Sequence, residues 1–211
     1  MADLATEALG AEPADAVRPP VAPAATLLPG RLGERVKAFD DGVDRAFDAI
    51  RGNPVADRIM YGASALGDFS LLWHVAGVGR ALRGGRLGER EALRLAGALL
   101  VETALVNVGV KSLFRRTRPV WEQERPRALR TPRSSSFPSG HATSGFMAAT
   151  LLATGRPRSR PLWFALAAIV ASSRVHVRIH HASDVAAGAV VGIGFGRLVR
   201  RIWNVGADPR G

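Results

Sequence analysis

The chain contains no cysteine, which excludes disulfide cross-links and thiolate metal ligands and leaves the redox compartment unread. It has no basic amino-terminal stretch followed by an apolar run. A cleavable signal peptide is therefore not expected, and insertion would proceed through the first apolar span. Acidic residues are scarce: 18 Asp and Glu stand against 29 Lys and Arg, for a net charge of +11. That excess invites a nucleic-acid partner. The arginines, however, flank apolar segments and form no basic stripe with interleaved aromatics. Such a pattern suits phospholipid head groups and anionic substrates, so no nucleic acid is expected. A carboxylate cluster able to hold magnesium or zinc is also missing from the pattern.

What is present is apolar and segmented. Hydrophobic residues make up 47% of 211 positions and the mean hydropathy is slightly positive, with room for one sizeable domain. Residues 1–30, rich in Ala and Pro, read as a disordered tail. Residues 31–54 read as an amphipathic helix. Leu32, Val36, Phe39, Val43, Phe47 and Ile50 recur at helical spacing, the other face carries Asp40, Asp41, Asp44, Arg45 and Asp48, and Asn53-Pro54 ends the run. It would lie at the membrane surface or pack on the domain. Residues 55–203 form the main domain and 204–211 a short tail.

Five apolar stretches fill the main domain, approximately 59–79, 92–114, 139–154, 161–173 and 185–203. A spanning helix needs about 20 residues, so the third and fourth must borrow from their flanks. Gly188, Gly192, Gly194 and Gly196 suggest close helix packing. The expected fold is an all-α polytopic bundle of five spans plus the amphipathic helix. Alternation places the arginine-rich turns 80–90 and 155–160, with Arg200 and Arg201, on one face, and segments 114–138 and 174–184 on the other. The positive-inside rule would make the first face cytoplasmic. Segment 114–138 holds seven arginines as well, which weakens that vote.

Three pieces fall on the second face. Lys111 is followed by Arg118-Pro119 at the end of the second span. Pro138-Ser139-Gly140-His141 opens the third. Arg174, His180 and Asp184 lie between the fourth and fifth. Lys111, Arg118 and Arg174 supply cations, two of them with guanidinium forks that match phosphate oxygens. Ser139 and Gly140 precede a helical run whose N–H groups and dipole would face an anion. Asp184 can orient the His180 imidazole and leave one nitrogen free to attack, while His141 can protonate a departing oxygen. An anion cradle, an oriented nucleophile and an acid together describe phosphoryl transfer without a metal.

These three segments resemble the signature of the type 2 phosphatidic acid phosphatase superfamily, which includes bacterial lipid phosphatases, class A acid phosphatases and vanadium haloperoxidases. No motif position is substituted, and the likeness covers roughly residues 59–203. The resemblance implies that Lys111, Arg118, Ser139, Gly140 and Arg174 bind phosphate. It implies His141 as general acid, His180 as nucleophile and Asp184 as its partner, on a helical bundle that needs no metal or other cofactor. It further implies a lipid phosphate substrate and a multi-pass protein of the bacterial inner membrane with the site on the extracytoplasmic face. Membrane members typically have six spans, so the amino-terminal topology departs from the pattern. Two alternatives share the motifs: a soluble acid phosphatase or vanadate-binding haloperoxidase, and a membrane protein that only binds anionic lipids.

Other residues invite a role less directly. Asp68, in the first span, reads equally as a structural hydrogen bond or a channel group; Glu102 and Asn107 read as structural. His176 and His181 fall outside the motif. Trp73, Trp121, Trp163 and Trp203 read as interfacial anchors. Arg125, Arg127, Arg130 and Arg133 could grip a second phosphate or an anionic lipid.

Overall fold

Apolar stretches separated by arginine-rich turns fold as helices whose ends alternate between two levels. The computed structural model describes residues 28–205 apart from 122–125, 128 and 133. The expected tail falls almost wholly outside the described residues, as do residues 206–211, Arg125, Arg133 and the side chain of Asn107. Among the described residues there is no strand. Helix α1 spans Gly30–Asp48, α2 Pro54–Gly67, α3 Leu71–Arg83, α4 Gly85–Ala104, α5 Lys111–Leu113, α6 Gly140–Leu152, α7 Arg160–His176 and α8 Ala182–Ile202.

Local chemistry explains the boundaries. Asn53-Pro54 begins a helix rather than ending one. The Asn53 side chain accepts the N–H groups of Val55 and Ala56 at 3.0 and 3.1 Å, and Pro54 sits at the first helical position, where its missing N–H costs nothing. The expected first span is broken. A short 3₁₀ turn, Asp68–Ser70, separates α2 from α3, with Phe69 and Ser70 both in the left-handed region. The second span starts earlier than expected, at Gly85, and changes to a π-helical turn at Leu105–Val110 before Lys111.

The core lies between α3, α4, α6, α7 and α8. Trp73, Leu95, Leu99, Met147, Ala167 and Val170 are buried in it. Trp73 is therefore a core residue and not an interfacial anchor; its ring lies where a Cβ on Gly145 would come within 3.3 Å of it. The tightest contact is α6 against α8. A Cβ on Gly188 would sit 2.6 Å from the Ser139 carbonyl oxygen, one on Gly192 would collide with the Thr143 carbonyl, and one on Gly196 would meet the Thr150 Cβ at 2.8 Å. Glycine at these three positions is what lets the backbones approach. Gly194 faces open space instead.

Large apolar side chains stand exposed along the helix exteriors, among them Val75, Val78, Leu93, Leu100, Ile169, Val190 and Leu198. One helix among those described, α8, is long and apolar enough by itself to cross a membrane. The others are shorter, broken or charged. Helix α6 has 13 residues, about 20 Å at 1.5 Å per residue against a hydrocarbon core of about 30 Å. Helix α4 carries Arg86, Glu89, Arg90, Glu91 and Arg94 in its first half. At the end away from the site, Arg156 pairs with Glu91 at 2.7 Å, and Arg80 donates to the Leu152 carbonyl at 2.8 Å.

Candidate active site

The three motif segments meet at the opposite end of the bundle. The π turn at Leu105–Val110 takes the α4 run off its α-helical register, an irregularity that recurs at functional sites. It is followed directly by Lys111, which is buried, with Nζ 3.7 Å from the point where a Cβ on Gly140 would lie. Glycine at 140 leaves the α6 backbone open to close approach.

Ser139 stands at the α6 N-cap in an extended conformation, and its N–H donates to the Asp184 carbonyl at 3.0 Å. Its Oγ is buried without a hydrogen-bond partner. The first N–H groups of α6 have no acceptor within the helix, as at any helix start, and with the dipole they favour an anion. A buried hydroxyl left unpaired beside them is costly unless a ligand satisfies it.

The third segment is built by the way α7 ends. Arg178 is left-handed (φ 49°), its N–H donates to the Val175 carbonyl at 2.9 Å, and the Ile179 N–H reaches the Arg174 carbonyl at 3.1 Å. This is a Schellman ending in a position that usually takes glycine. The cost of a non-glycine residue there is on the order of 1 kcal/mol. The Arg178 guanidinium is held by Asp44 and Asp48 of α1 at 3.1 and 2.8 Å. The turn presents His180, 3% exposed, ahead of α8. Asp184 lies in the first turn of α8 and is fully buried. Its Oδ2 accepts the His181 N–H at 2.9 Å and stands 3.7 Å from His180 Nδ1. That last distance is an electrostatic contact rather than a formed hydrogen bond.

His180 Nε2 faces Arg118, whose Nη1 is 3.3 Å away. A guanidinium can only donate, so Nε2 acts as an acceptor and the ring proton belongs on Nδ1, toward Asp184. Burial, aided by Arg118 and Arg174 and opposed by Asp184, pushes the His180 pKa down to about 3, so the ring is neutral at ordinary pH. Arg118 also donates to the carbonyls of Pro132, Ser134, Ser135 and Ile179, at 3.1, 3.1, 3.3 and 3.0 Å. It thereby ties Pro132, Ser134 and Ser135 to the site. Lys111 lies within electrostatic reach of Arg118 and Arg174, and both arginines also act on His180. Three cations converging on one buried spot repel one another, and an anion between them would relieve that.

His141, on the first turn of α6, places Nε2 3.2 Å from the Ser64 carbonyl and 3.2 Å from Asp68 Oδ1. Nδ1 is then the nitrogen left for a substrate oxygen. Arg174 donates to the Ser64 hydroxyl. Asp68, whose role was open from sequence, thus stands beside His141. The α2–α3 break puts it there, and nothing in the local sequence announces left-handed residues at Phe69 and Ser70. Arg116 was not singled out at all: its Nη1 reaches Asp184 Oδ1 at 2.5 Å. His176 pairs with Asp57 at 2.7 Å, away from the cations. His181 is the α8 N-cap residue, with Nε2 3.3 Å from the Thr117 carbonyl. The Arg130 guanidinium stacks over the Phe69 ring at 4.5 Å.

Comparison with known proteins shows what the chain as a whole resembles. A family model described as the PAP2 superfamily matches residues 91–206. A decaprenylphosphoryl-5-phosphoribose phosphatase of Mycobacterium tuberculosis is 34% identical over 141 residues, covering 65% of this chain and 75% of the relative. Two solved structures superpose at 25% identity. One is a transmembrane PAP2-type phosphatidylglycerolphosphate phosphatase from Bacillus subtilis (TM-score 0.60, covering 80% of this chain and 86% of that one). The other is LpxE from Aquifex aeolicus (TM-score 0.62, 76% and 93%).

Proposed function

The chain belongs to the PAP2 superfamily, and on that premise we propose that it removes phosphate from a lipid-linked substrate at a membrane surface through a phosphohistidine on His180. It is a phosphatase of the lipid-phosphate kind; the covalent route, the substrate, the number of spans and the side of the membrane are the proposal. The observation that carries the route is the neutral His180 ring, with Nε2 turned toward the cation cluster and Nδ1 toward Asp184.

In the first step the Nε2 lone pair forms a bond to phosphorus while the bond from phosphorus to the lipid-side oxygen breaks. Lys111, Arg118, Arg174 and the α6 N–H groups hold the equatorial oxygens, and His141 gives its proton to the leaving oxygen. The proton given up is the one on Nδ1, because Nε2 is turned to the Ser64 carbonyl and Asp68 Oδ1. In the second step His141 takes a proton from water, whose oxygen attacks phosphorus, and the N–P bond breaks to return His180 and inorganic phosphate.

A prenyl-linked sugar phosphate is the first candidate substrate, because the relative at 34% identity is a decaprenylphosphoryl-5-phosphoribose phosphatase, whereas the phosphatidylglycerolphosphate phosphatase matches at 25%. A cavity of about 390 Å³ beside His180, lined by Asp41, Asp44, Trp121, Arg178 and His181, suits a hydroxylated head group. Five spans with the site on the extracytoplasmic face of a bacterial inner membrane remain our reading of topology. Phosphate release in detergent from a panel of prenyl, phosphoribosyl-prenyl and glycerol-based phosphates tests the substrate. Trapping of acid-labile ³²P on wild type but not on His180→Ala tests the route. Preference for glycerol-based lipids would overturn the first, and label retained without His180 the second.

A further inference from the structure

Helix α1 lies before the segment matched by the family model, yet it is fastened to the catalytic turn on both sides. Arg51, just after it, donates to the Val175 and His176 carbonyls at the end of α7, each at 2.9 Å. Asp44 and Asp48 hold Arg178. On the far side of His180, Asp40 accepts the Ser183 N–H at 2.7 Å and the Ser183 hydroxyl at 2.8 Å. Asp40 Oδ2 also stands 2.6 Å from Arg116 Nη2, while Nη1 of the same guanidinium reaches Asp184 Oδ1 at 2.5 Å. The Asp40, Arg116 and Asp184 side chains are 5%, 7% and 0% exposed, so water screens none of these contacts.

The charge count makes this more than a clamp. One guanidinium sits between two carboxylates, so the cluster retains one net negative charge to face His180. Without Asp40, Arg116 would neutralise Asp184 alone, and the carboxylate could no longer support positive charge on the imidazole as Nε2 bonds to phosphorus.

We propose that Asp40 is a positioning residue of this active site, acting through Arg116 to keep the carboxylate cluster that faces His180 net negative and Asp184 aimed at the ring. Helix α1 is then part of the catalytic apparatus rather than an accessory anchor. The proposal rests on the phosphatase reading above.

The test uses the full chain in detergent with a short-chain lipid phosphate. Asp40→Asn is nearly isosteric and still accepts from Ser183, so α1 stays docked. We expect kcat to fall about 10- to 100-fold, the range found when the partner of a functional group's own partner is lost, with KM within about twofold of wild type. In an Arg116→Gln background the same change should add no further loss, because the route through Arg116 is already cut. Unchanged kcat, or losses that multiply in the double variant, would overturn the proposal. Should Asp40→Asn not elute as a folded species, Asp40→Ser, which also removes the charge and leaves a hydroxyl acceptor, replaces it, with lowered kcat at unchanged KM expected and wild-type kcat refuting. A wild-type chain that releases no phosphate would sink the functional reading itself, which separates the two failures.

Discussion

Replacing Asp184 by asparagine probes the proposed nucleophile most directly, because this buried carboxylate has three partners with incompatible demands on an amide. Oδ1 accepts from Arg116 at 2.5 Å; Oδ2 accepts the His181 N–H at 2.9 Å and faces His180 Nδ1 at 3.7 Å. An amide that keeps its oxygen toward His181 and His180 must turn its NH₂ against the Arg116 guanidinium, donor against donor. Turned the other way, it offers N–H to Nδ1, which drives the ring proton to Nε2 and removes the attacking lone pair. The second arrangement satisfies Arg116, the stronger partner, and should prevail. An aspartate-to-asparagine change that inverts a histidine tautomer costs about 10⁴ in kcat, about 5.5 kcal/mol of transition-state stabilisation. KM should change little, since the phosphate cations are untouched. Stability should fall as well, by less than the roughly 3–5 kcal/mol of a buried ion pair broken outright, because Asp40 still holds Arg116. Phosphate release from a short-chain lipid phosphate in detergent gives kcat and KM, and a melting curve confirms the fold. A well-folded Asp184→Asn protein within tenfold of wild-type kcat would refute the orienting role and the assigned tautomer together.

Three further outcomes follow from the same contacts. Activity should persist in excess EDTA, since Lys111, Arg118 and Arg174 carry the charge that a metal would otherwise supply; abolition by EDTA, restored by a divalent cation, would contradict this. Gly192→Ala drives a methyl into the Thr143 carbonyl and should cost about 1–3 kcal/mol by overpacking, read as a lower melting temperature, whereas Gly194→Ala, facing open space, should not. His180 titrates near 6.5 when unfolded but near about 3 when folded, so its contribution to stability is complete above about pH 6.5 and is lost as pH falls toward 3. The melting temperature of wild type should therefore drop more steeply across that window than that of His180→Gln, and parallel curves would contradict the buried neutral ring.

The helical character of the apolar runs and the grouping of Lys111, Arg118, Ser139, Gly140, His141, Arg174, His180 and Asp184 at one end of the bundle were legible because they rest on short-range signals. These are apolar runs, breaks at arginine-rich turns, and motif spacings within single segments. What escaped rests on long-range or backbone facts. Arg116 is one of seven arginines between 114 and 138, and its contacts with Asp40 and Asp184, both far away in sequence, set it apart. Asp68 depends on a break made by Phe69 and Ser70, neither of which favours a left-handed backbone. The apolar spacing of residues 31–50 reads as a helix, and α1 covers Gly30–Asp48, yet the sequence leaves open that its acidic face grips the catalytic turn. Alternation along a chain tells which face differs, not what meets it.

The glycine seam between α6 and α8 determines how a lipid can get in. Gly188 abuts the carbonyl of Ser139, so the anchored pair of helices carrying the phosphate cradle and Asp184 behaves as one inflexible wall. A substrate trailing a long hydrocarbon tail cannot wedge itself through that wall without losing the cradle it is meant to enter. A tail would therefore have to reach the cations past other elements, among them the interruption between Gly67 and Leu71, where Gly67 stands against the His141 ring.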